Sequence, residues 1–465
     1  MAASGTTQAY EGRPDSRRPD GWAALIREGM QLMSAGMPLQ ALACFKSAAA
    51  LRPGHLRTLA ALGAASLRAE LPGEALQVFD AILKSDPNNV EAWHGKGLAL
   101  SHLGDRGAAL AAFRSAVSGD VTAWASWRSI AELALNEDER IHAVQATAEA
   151  LSHICLSAAA SPRLHVKCSD ALVHAHRFQE ATDFIIKNRS RFPDESTAYD
   201  RLARTCYRLG DFRNAFTYMT EALARLSPGK IPASPPKGPY SQDAALRALC
   251  EIGYVLEAHG VTFFLAAGTL LGFVRNGGPL AHDRDVDIGI FEEKPGVPDI
   301  AGILRAHPAI VLPPSARPGD HYFTVRCQGI AVDIFLHDRS HDAVSFGFSH
   351  TRGDIQWRLA PFGLTQASFH GRNWLLPAPA SQYLSGLYGD TWQSPDLGFA
   401  SVISSPALWA VSPYTRAYYS VARARKYRMT GQHAKANALL AQSPICLAPD
   451  LCLQTSPEDR EAKNP

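Results

Sequence analysis

Alanine returns along the first half of the chain at a fixed interval. Ala41, Ala75, Ala109 and Ala143 lie 34 residues apart, and after a slip of four residues Ala181 and Ala215 resume the spacing. Other small and aromatic positions keep phase with it: Gly29, Gly63 and Gly97 come twelve residues before the first three alanines, and Phe45, Phe79 and Phe113 four residues after them. Pro53 and Pro87 close the first two units. A period of this length predicts pairs of antiparallel helices that touch where side chains are small, each pair leaving an apolar face for the next pair to cover. The last unit, residues 196–227, keeps the pattern through Tyr199, Leu202, Ala215 and Ala222, whereas residues 121–193 are degenerate. About six helical hairpins are expected over residues 21–226.

These units resemble the tetratricopeptide repeat, with Trp93 in the place of the aromatic residue that opens the first helix of that motif. The resemblance implies an all-α solenoid whose groove could take a peptide or a protein partner; a spacer or a dimerisation surface is the alternative. The Pro-rich stretch at residues 227–242 (SPGKIPASPPKGPYSQ) cannot continue a helix and is read as a linker at a domain boundary. Helical spacing returns over residues 414–442, where Gly431 separates two Ala-rich segments and Ala436 is placed like the earlier alanines, so a C-terminal helical hairpin is expected within 396–446. Residues 1–20 and 447–465 read as a disordered leader and tail.

The texture changes after residue 242. Residues 243–259 carry an amphipathic stripe of Ala244, Leu246, Leu249, Ile252, Val255 and Leu256, followed by a short apolar strand from Val261 to Ala266. The strand runs into Gly268-Thr-Leu-Leu-Gly272, a glycine-bounded turn opening a helix, where exposed amides and the Thr269 hydroxyl suit a phosphate oxygen. In the next strand, Arg284 to Phe291, side chains two apart share a face, so Asp285 and Asp287 project together while Val286, Ile288 and Ile290 enter the core. Two carboxylates that close repel each other unless a cation lies between them, and hard oxygen ligands suit magnesium. Asp283 shares that face or sits in the turn before it. Asp333, in Gly329-Ile-Ala-Val-Asp-Ile-Phe-Leu336, is a third acid inside an apolar strand, with Tyr322 to Cys327 as its expected neighbour. Burying it unpaired would cost several kcal/mol.

The order Gly-Thr-x-x-Gly, Arg, Asp-x-Asp-x-Asp, Val-Asp-Ile-Phe resembles the LicD/fukutin family of the polymerase-beta-like nucleotidyltransferase superfamily. The likeness continues through Leu376-Pro-Ala-Pro379, Tyr383-Leu384 and Leu387-Tyr-Gly-Asp-Thr-Trp392. It implies an α+β nucleotidyltransferase-like domain with a small mixed sheet over residues 243–395. It also implies magnesium, or alternatively manganese, held by Asp285, Asp287 and Asp333, which form the catalytic set. Gly268, Thr269, Gly272, Arg275 and Asp283 would then line the substrate site, Gly268 and Thr269 touching phosphates and Arg275 neutralising them. Members of this family move phosphocholine or a polyol phosphate from a CDP-linked donor to a sugar hydroxyl. His282 departs from the family pattern, which has Trp before its first aspartate.

Composition narrows the field further. The 465 residues carry 46 basic and 44 acidic side chains, a formal charge of +2, so no broad field for nucleic acid or anionic lipid exists. The eight cysteines (Cys44, Cys155, Cys168, Cys206, Cys250, Cys327, Cys446, Cys452) show no Cys-x-x-Cys pair and read as reduced thiols of a cytoplasmic protein. No apolar run approaches the roughly 18 residues of a spanning helix, which leaves at most peripheral membrane contact. His337, His341, His350, Trp357 and His370 have no ligand spacing and read as surface or pocket residues, while Trp357, Tyr388 and Trp392 read first as core. Three functions fit: phosphotransfer from a CDP-linked donor to a glycan acceptor, nucleotidyl transfer from an NTP to a small hydroxyl compound, and a non-catalytic repeat scaffold.

Overall fold

The computed structural model describes residues 21–226, 240–281, 283–292, 298–396, 398–448 and 451. Two compact units divide the chain, Met1–Ala134 and Leu135–Pro465. The first is helical throughout its described part: α1 (Gly21–Ser34), α2 (Pro38–Leu51), α3 (Leu56–Arg68), α4 (Pro72–Ser85), α5 (Val90–His102), α6 (Arg106–Gly119) and α7 (Trp124–Leu133). The repeat markers explain the pairing. A Cβ on Gly29 would lie 2.6 Å from the Phe45 ring, one on Gly63 2.6 Å from Phe79, and one on Gly97 2.5 Å from Phe113. Each conserved-phase glycine is thus the seat of its own unit's aromatic ring. Helix starts are set locally: Asn89 and Asp105 accept the backbone N–H of Ala92 and Ala108, both at 2.9 Å, and Pro38 and Pro72 occupy first turns.

The second unit opens with the remaining repeat helices, α8 (Glu137–Cys155), α9 (Pro162–His174), α10 (Phe178–Lys187), α11 (Glu195–Arg208) and α12 (Phe212–Ala224). After the Pro-rich stretch, of which 227–239 lie outside the described residues, come α13 (Gln242–Ala258), β1 (Phe263–Leu265), α14 (Ala267–Asn276) and β2 (Asp285–Phe291). Then follow α15 (Ile300–Ala306), β3 (Ile310–Val311), β4 (Tyr322–Cys327), β5 (Ile330–Arg339), β6 (Val344–Gly347), β7 (Gln356–Leu359), β8 (Gly363–Phe369) and β9 (Arg372–Ala378). The unit ends with α16 (Ala380–Tyr388), α17 (Ser401–Ser404), α18 (Pro413–Met429) and α19 (His433–Leu440). The sheet is mixed, in the order β1-β2-β5-β4-β3, with β2 and β5 parallel and the other neighbours antiparallel; β6 adds to the end of β5 and pairs with β7, and β8-β9 form a separate hairpin.

The compact units part within the repeat series and not at the Pro-rich stretch. The reason is a shared core: Ala215, Met219 and Leu223 of α12 belong to one apolar cluster with Val286, Ile288, Val332 and Ile334 of the sheet and with Val421 and Ala424 of α18. Polar ties reinforce it. Tyr207 on α11 donates to Asp354, which also accepts from Ser349 at 2.5 Å, and Arg425 on α18 lies 3.2 Å from Asp200 on α11 with both side chains nearly buried. The C-terminal hairpin, α18 and α19, therefore packs on the last repeat. Cys44, Cys155, Cys168, Cys206, Cys250, Cys327 and Cys446 are free thiols; Cys452 lies outside the described residues. No helix among the described residues is long and apolar enough to cross a membrane.

Candidate active site

Parallel pairing of β2 and β5 sets Asp287 directly beside Asp333 and Asp285 beside Ala331. The alternation along β2 sends Val286 and Ile288 into the core and leaves Asp285 and Asp287 on the other face, where they meet Asp333 from the next strand. Antiparallel β4 completes the group: Thr324 stands opposite Asp333 and donates its hydroxyl to Oδ1 at 2.5 Å.

The β1–α14 corner clamps Asp287 from the other side. The Gly268 amide donates to Asp287 Oδ2 at 2.8 Å, the Asp287 amide donates to the Thr269 hydroxyl at 2.7 Å, and the Ala266 amide donates to the Asp287 carbonyl at 3.2 Å. Ala267, between the two, adopts φ +40°, a conformation an L-residue holds only where its surroundings impose it. Its amide points to the Tyr383 hydroxyl at 3.3 Å. Gly268 is required by close approach: a Cβ there would lie 2.8 Å from Asp283 Oδ2 and 2.9 Å from Asp287 Oδ2.

Gathered this way, Asp283, Asp287 and Asp333 resist ionisation. Burial, followed by the charges of Asp285, Asp333 and Asp283, holds Asp287 well above the usual carboxylate range. Burial and then the hydrogen bond and charge of Asp285 push Asp283 up to about 7. Burial raises Asp333 to about 6 against the pull of the Thr324 hydroxyl, with the Asp285 charge adding to the rise. Such a site is a hard-oxygen donor set short of positive charge, and Asp285, Asp287 and Asp333 have the chemistry to hold a divalent cation.

The acids form one wall of a cleft of about 500 Å³. Phe335, Phe346, Phe348 and Trp357 supply an aromatic wall, Tyr388 and Trp392 another, and Arg275 closes the α14 side. Arg423 and Tyr427 of α18 and Lys435 of α19 also line it. Burial lowers the pKa of Arg423, which is partly restored by Tyr419, Tyr427 and Asp285, and Lys435 lies 5.8 Å from the Tyr427 ring centre.

Two sequence expectations change here. Thr269 is buried and its hydroxyl is taken up by the Asp287 backbone, so it shapes the acidic strand and is not presented to a phosphate. Gly272 does not line the cleft; a Cβ there would meet the Gly278 carbonyl at 2.7 Å, and the residue serves the packing of α14 on the following turn. Gly268, Arg275, Asp283, Asp285, Asp287 and Asp333 all reach the cleft, and so do Trp357, Tyr388 and Trp392, which also pack in or against the core, where the pattern placed them. His282 lies outside the described residues. Sequence reasoning missed Thr324, which the alternation of the Tyr322–Cys327 strand could have placed beside Asp333. It also missed Arg423, Tyr427 and Lys435, for which no local signal exists.

The segment that carries these features is similar to LicD-type nucleotidyltransferase domains and is preceded by tetratricopeptide repeats. Residues 260–379 match the family described as LicD/FKTN/FKRP, nucleotidyltransferase domain, and residues 32–100 and 90–118 match tetratricopeptide repeat families. Among curated proteins, the chain is 42% identical over 72 residues to the ribitol 5-phosphate transferase FKRP of Mus musculus, covering 15% of each chain. It is 30% identical over 149 residues to the ribitol-5-phosphate transferase FKTN of Mus musculus, covering 30% of this chain and 31% of that one. The matched stretches thus span less than a third of these relatives. Among solved structures, Pseudomonas aeruginosa pilF is similar at 17% identity over 45% of this chain and 93% of that one, with a TM-score of 0.32. MamA 41-end of Desulfovibrio magneticus RS-1 is similar at 22% identity over 29% and 75%, with a TM-score of 0.26.

Proposed function

We propose that the cleft transfers an alcohol phosphate, of the ribitol phosphate or phosphocholine kind, from a CDP-linked donor to a sugar hydroxyl of a glycan. The observation that carries the reading is the convergence of Asp285, Asp287 and Asp333, from two paired strands, on one cleft, where burial holds Asp287 and Asp333 above the usual carboxylate range. Both curated relatives are named for ribitol 5-phosphate transfer, which makes ribitol phosphate the first group to test.

Asp285, Asp287 and Asp333 would hold magnesium, or manganese in its place; when bound, the ion offsets charge on the donor pyrophosphate. The chain's own residues do the rest. Arg275, Arg423 and Lys435 face the donor phosphates as cations, and Tyr388 and Trp392 offer flat surfaces to a base or sugar. Asp333, fixed by Thr324 at one oxygen, takes the proton of the attacking hydroxyl. The hydroxyl oxygen bonds to the phosphorus that bears the alcohol, the bridging P–O bond breaks, and CMP leaves with that electron pair. No covalent enzyme intermediate is needed. The groove of the repeat array would take a protein partner.

The full chain should be incubated with CDP-ribitol, CDP-choline or NTPs, an oligosaccharide acceptor and magnesium. CMP release from a CDP-linked donor, abolished in Asp287→Asn while the thermal melt is retained, is the expected result. Pyrophosphate release from an NTP would replace this reading with nucleotidyl transfer, and undiminished turnover in Asp287→Asn would remove the assignment of the acids.

A further inference from the structure

A second group of ligating side chains lies at the far end of β5. His321, just ahead of β4, Asp338, near the end of β5, and His350, beyond β6, each present one ligand atom, and the three atoms lie within 4.8 Å of one another. Asp338 follows Asp333 by five residues of extended strand, about 16 Å, and alternates to the opposite face. None of the three lines the acidic cleft.

The His321 and His350 rings are neighbours, edge to face. Nδ1 of His321 lies 2.9 Å from Oε1 of Glu292, whose side chain is only 14% exposed. That contact fixes the imidazole and leaves Nε2 for a ligand, as carboxylates do for metal-bound histidines. The backbone around them is held too: the Leu336 amide donates to the His321 carbonyl at 2.9 Å and the Glu292 amide to the His337 carbonyl at 3.0 Å.

We propose that His321, Asp338 and His350 bind a transition-metal ion, zinc by their donor set, with Glu292 orienting His321 and water completing the coordination. Two imidazole nitrogens and one carboxylate suit zinc, whereas magnesium prefers oxygen alone. The ion would join the start of β4, the end of β5 and the turn between β6 and β7. That turn leaves the hairpin from which Phe346, Phe348 and Trp357 form the aromatic wall of the cleft, so the metal is a staple for that wall.

The test uses the full chain, stripped with a chelator and then titrated with Co²⁺ in excess magnesium, followed by displacement with Zn²⁺. One Co²⁺ per chain with a tetrahedral visible band, displaced by zinc, is expected in the parent and in Asp287→Asn. The band should be lost, and Co²⁺ affinity reduced at least tenfold, in Asp338→Asn and in His350→Gln. His350 is exposed, so His350→Gln keeps the fold, and its metal-free melt should match that of the metal-free parent while the zinc-induced rise in Tm disappears. Absence of the band in the parent, or a band unaltered in His350→Gln and Asp338→Asn, overturns the proposal. Loss of the band in Asp287→Asn alone would do the same by assigning the bound metal to the acidic cleft.

Discussion

Gly268 is the residue on which the geometry of the acids turns. Its missing side chain leaves room for Asp283 and Asp287 at distances no methyl group tolerates. Gly268→Ala should lower turnover with a CDP-linked donor about 100-fold, the cost of misplacing reacting groups by around an ångström, with the melt barely changed; unaltered turnover would show that the acids need no such approach. Arg423 sits across the cleft on a helix outside the matched family segment. Arg423→Ala should raise KM for the donor about tenfold, equivalent to roughly 1.4 kcal/mol, and an unchanged KM would separate α18 from the phosphates. The carboxylates were legible because β-strand alternation puts Asp285 and Asp287 on one face whatever the tertiary context. The role of Thr269 was not, because its hydroxyl accepts the backbone N–H of Asp287, eighteen residues on, and sequence does not show which donor reaches it. Arg423 was invisible for a plainer reason: it comes within the influence of the Asp285 charge only through the packing of α18.

At the scale of elements the repeats were the most readable part, since Gly63 and Phe79 must coincide in space for two helices to touch. Gly63→Ala would drive a methyl group into the buried Phe79 ring and should destabilise the first unit by about 1–3 kcal/mol. Urea unfolding of the full chain followed by circular dichroism measures this; a change below about 0.5 kcal/mol would mean that the ring can move aside. The β6–β7 and β8–β9 hairpins went unread: β6 and β7 have only four residues each, and β8 is largely exposed, so alternation had little apolar contrast to work with. His350 shows the same limit. Its neighbours His321 and Asp338 are far away in sequence, and only the pairing of β5 with β4 and β6 brings them together.

At the scale of the whole molecule, acid should weaken the second unit through His174. Burial, then the charges of Arg208, Arg201, Arg317 and His176, push this imidazole down to about 4 from 6.5. The folded state therefore refuses a proton that the unfolded chain accepts. Stability is unaffected by the group above pH 6.5, falls as pH drops from there toward 4, and is flat below that, a total of roughly 2 kcal/mol after allowance for partial exposure. His174→Asn should flatten this part of the stability curve in denaturant titrations; an unchanged slope would show that His174 titrates normally. The common core of α12, the sheet and α18 has one more consequence. Cloning from residue 240 onward, as the Pro-rich stretch invites, would strip the covering from Tyr418, Val421 and their neighbours and yield aggregates instead of a folded minimal domain. The last repeats are in this sense part of the body that carries the acidic cleft, and any swapping of adaptor modules in this architecture has to cut further upstream.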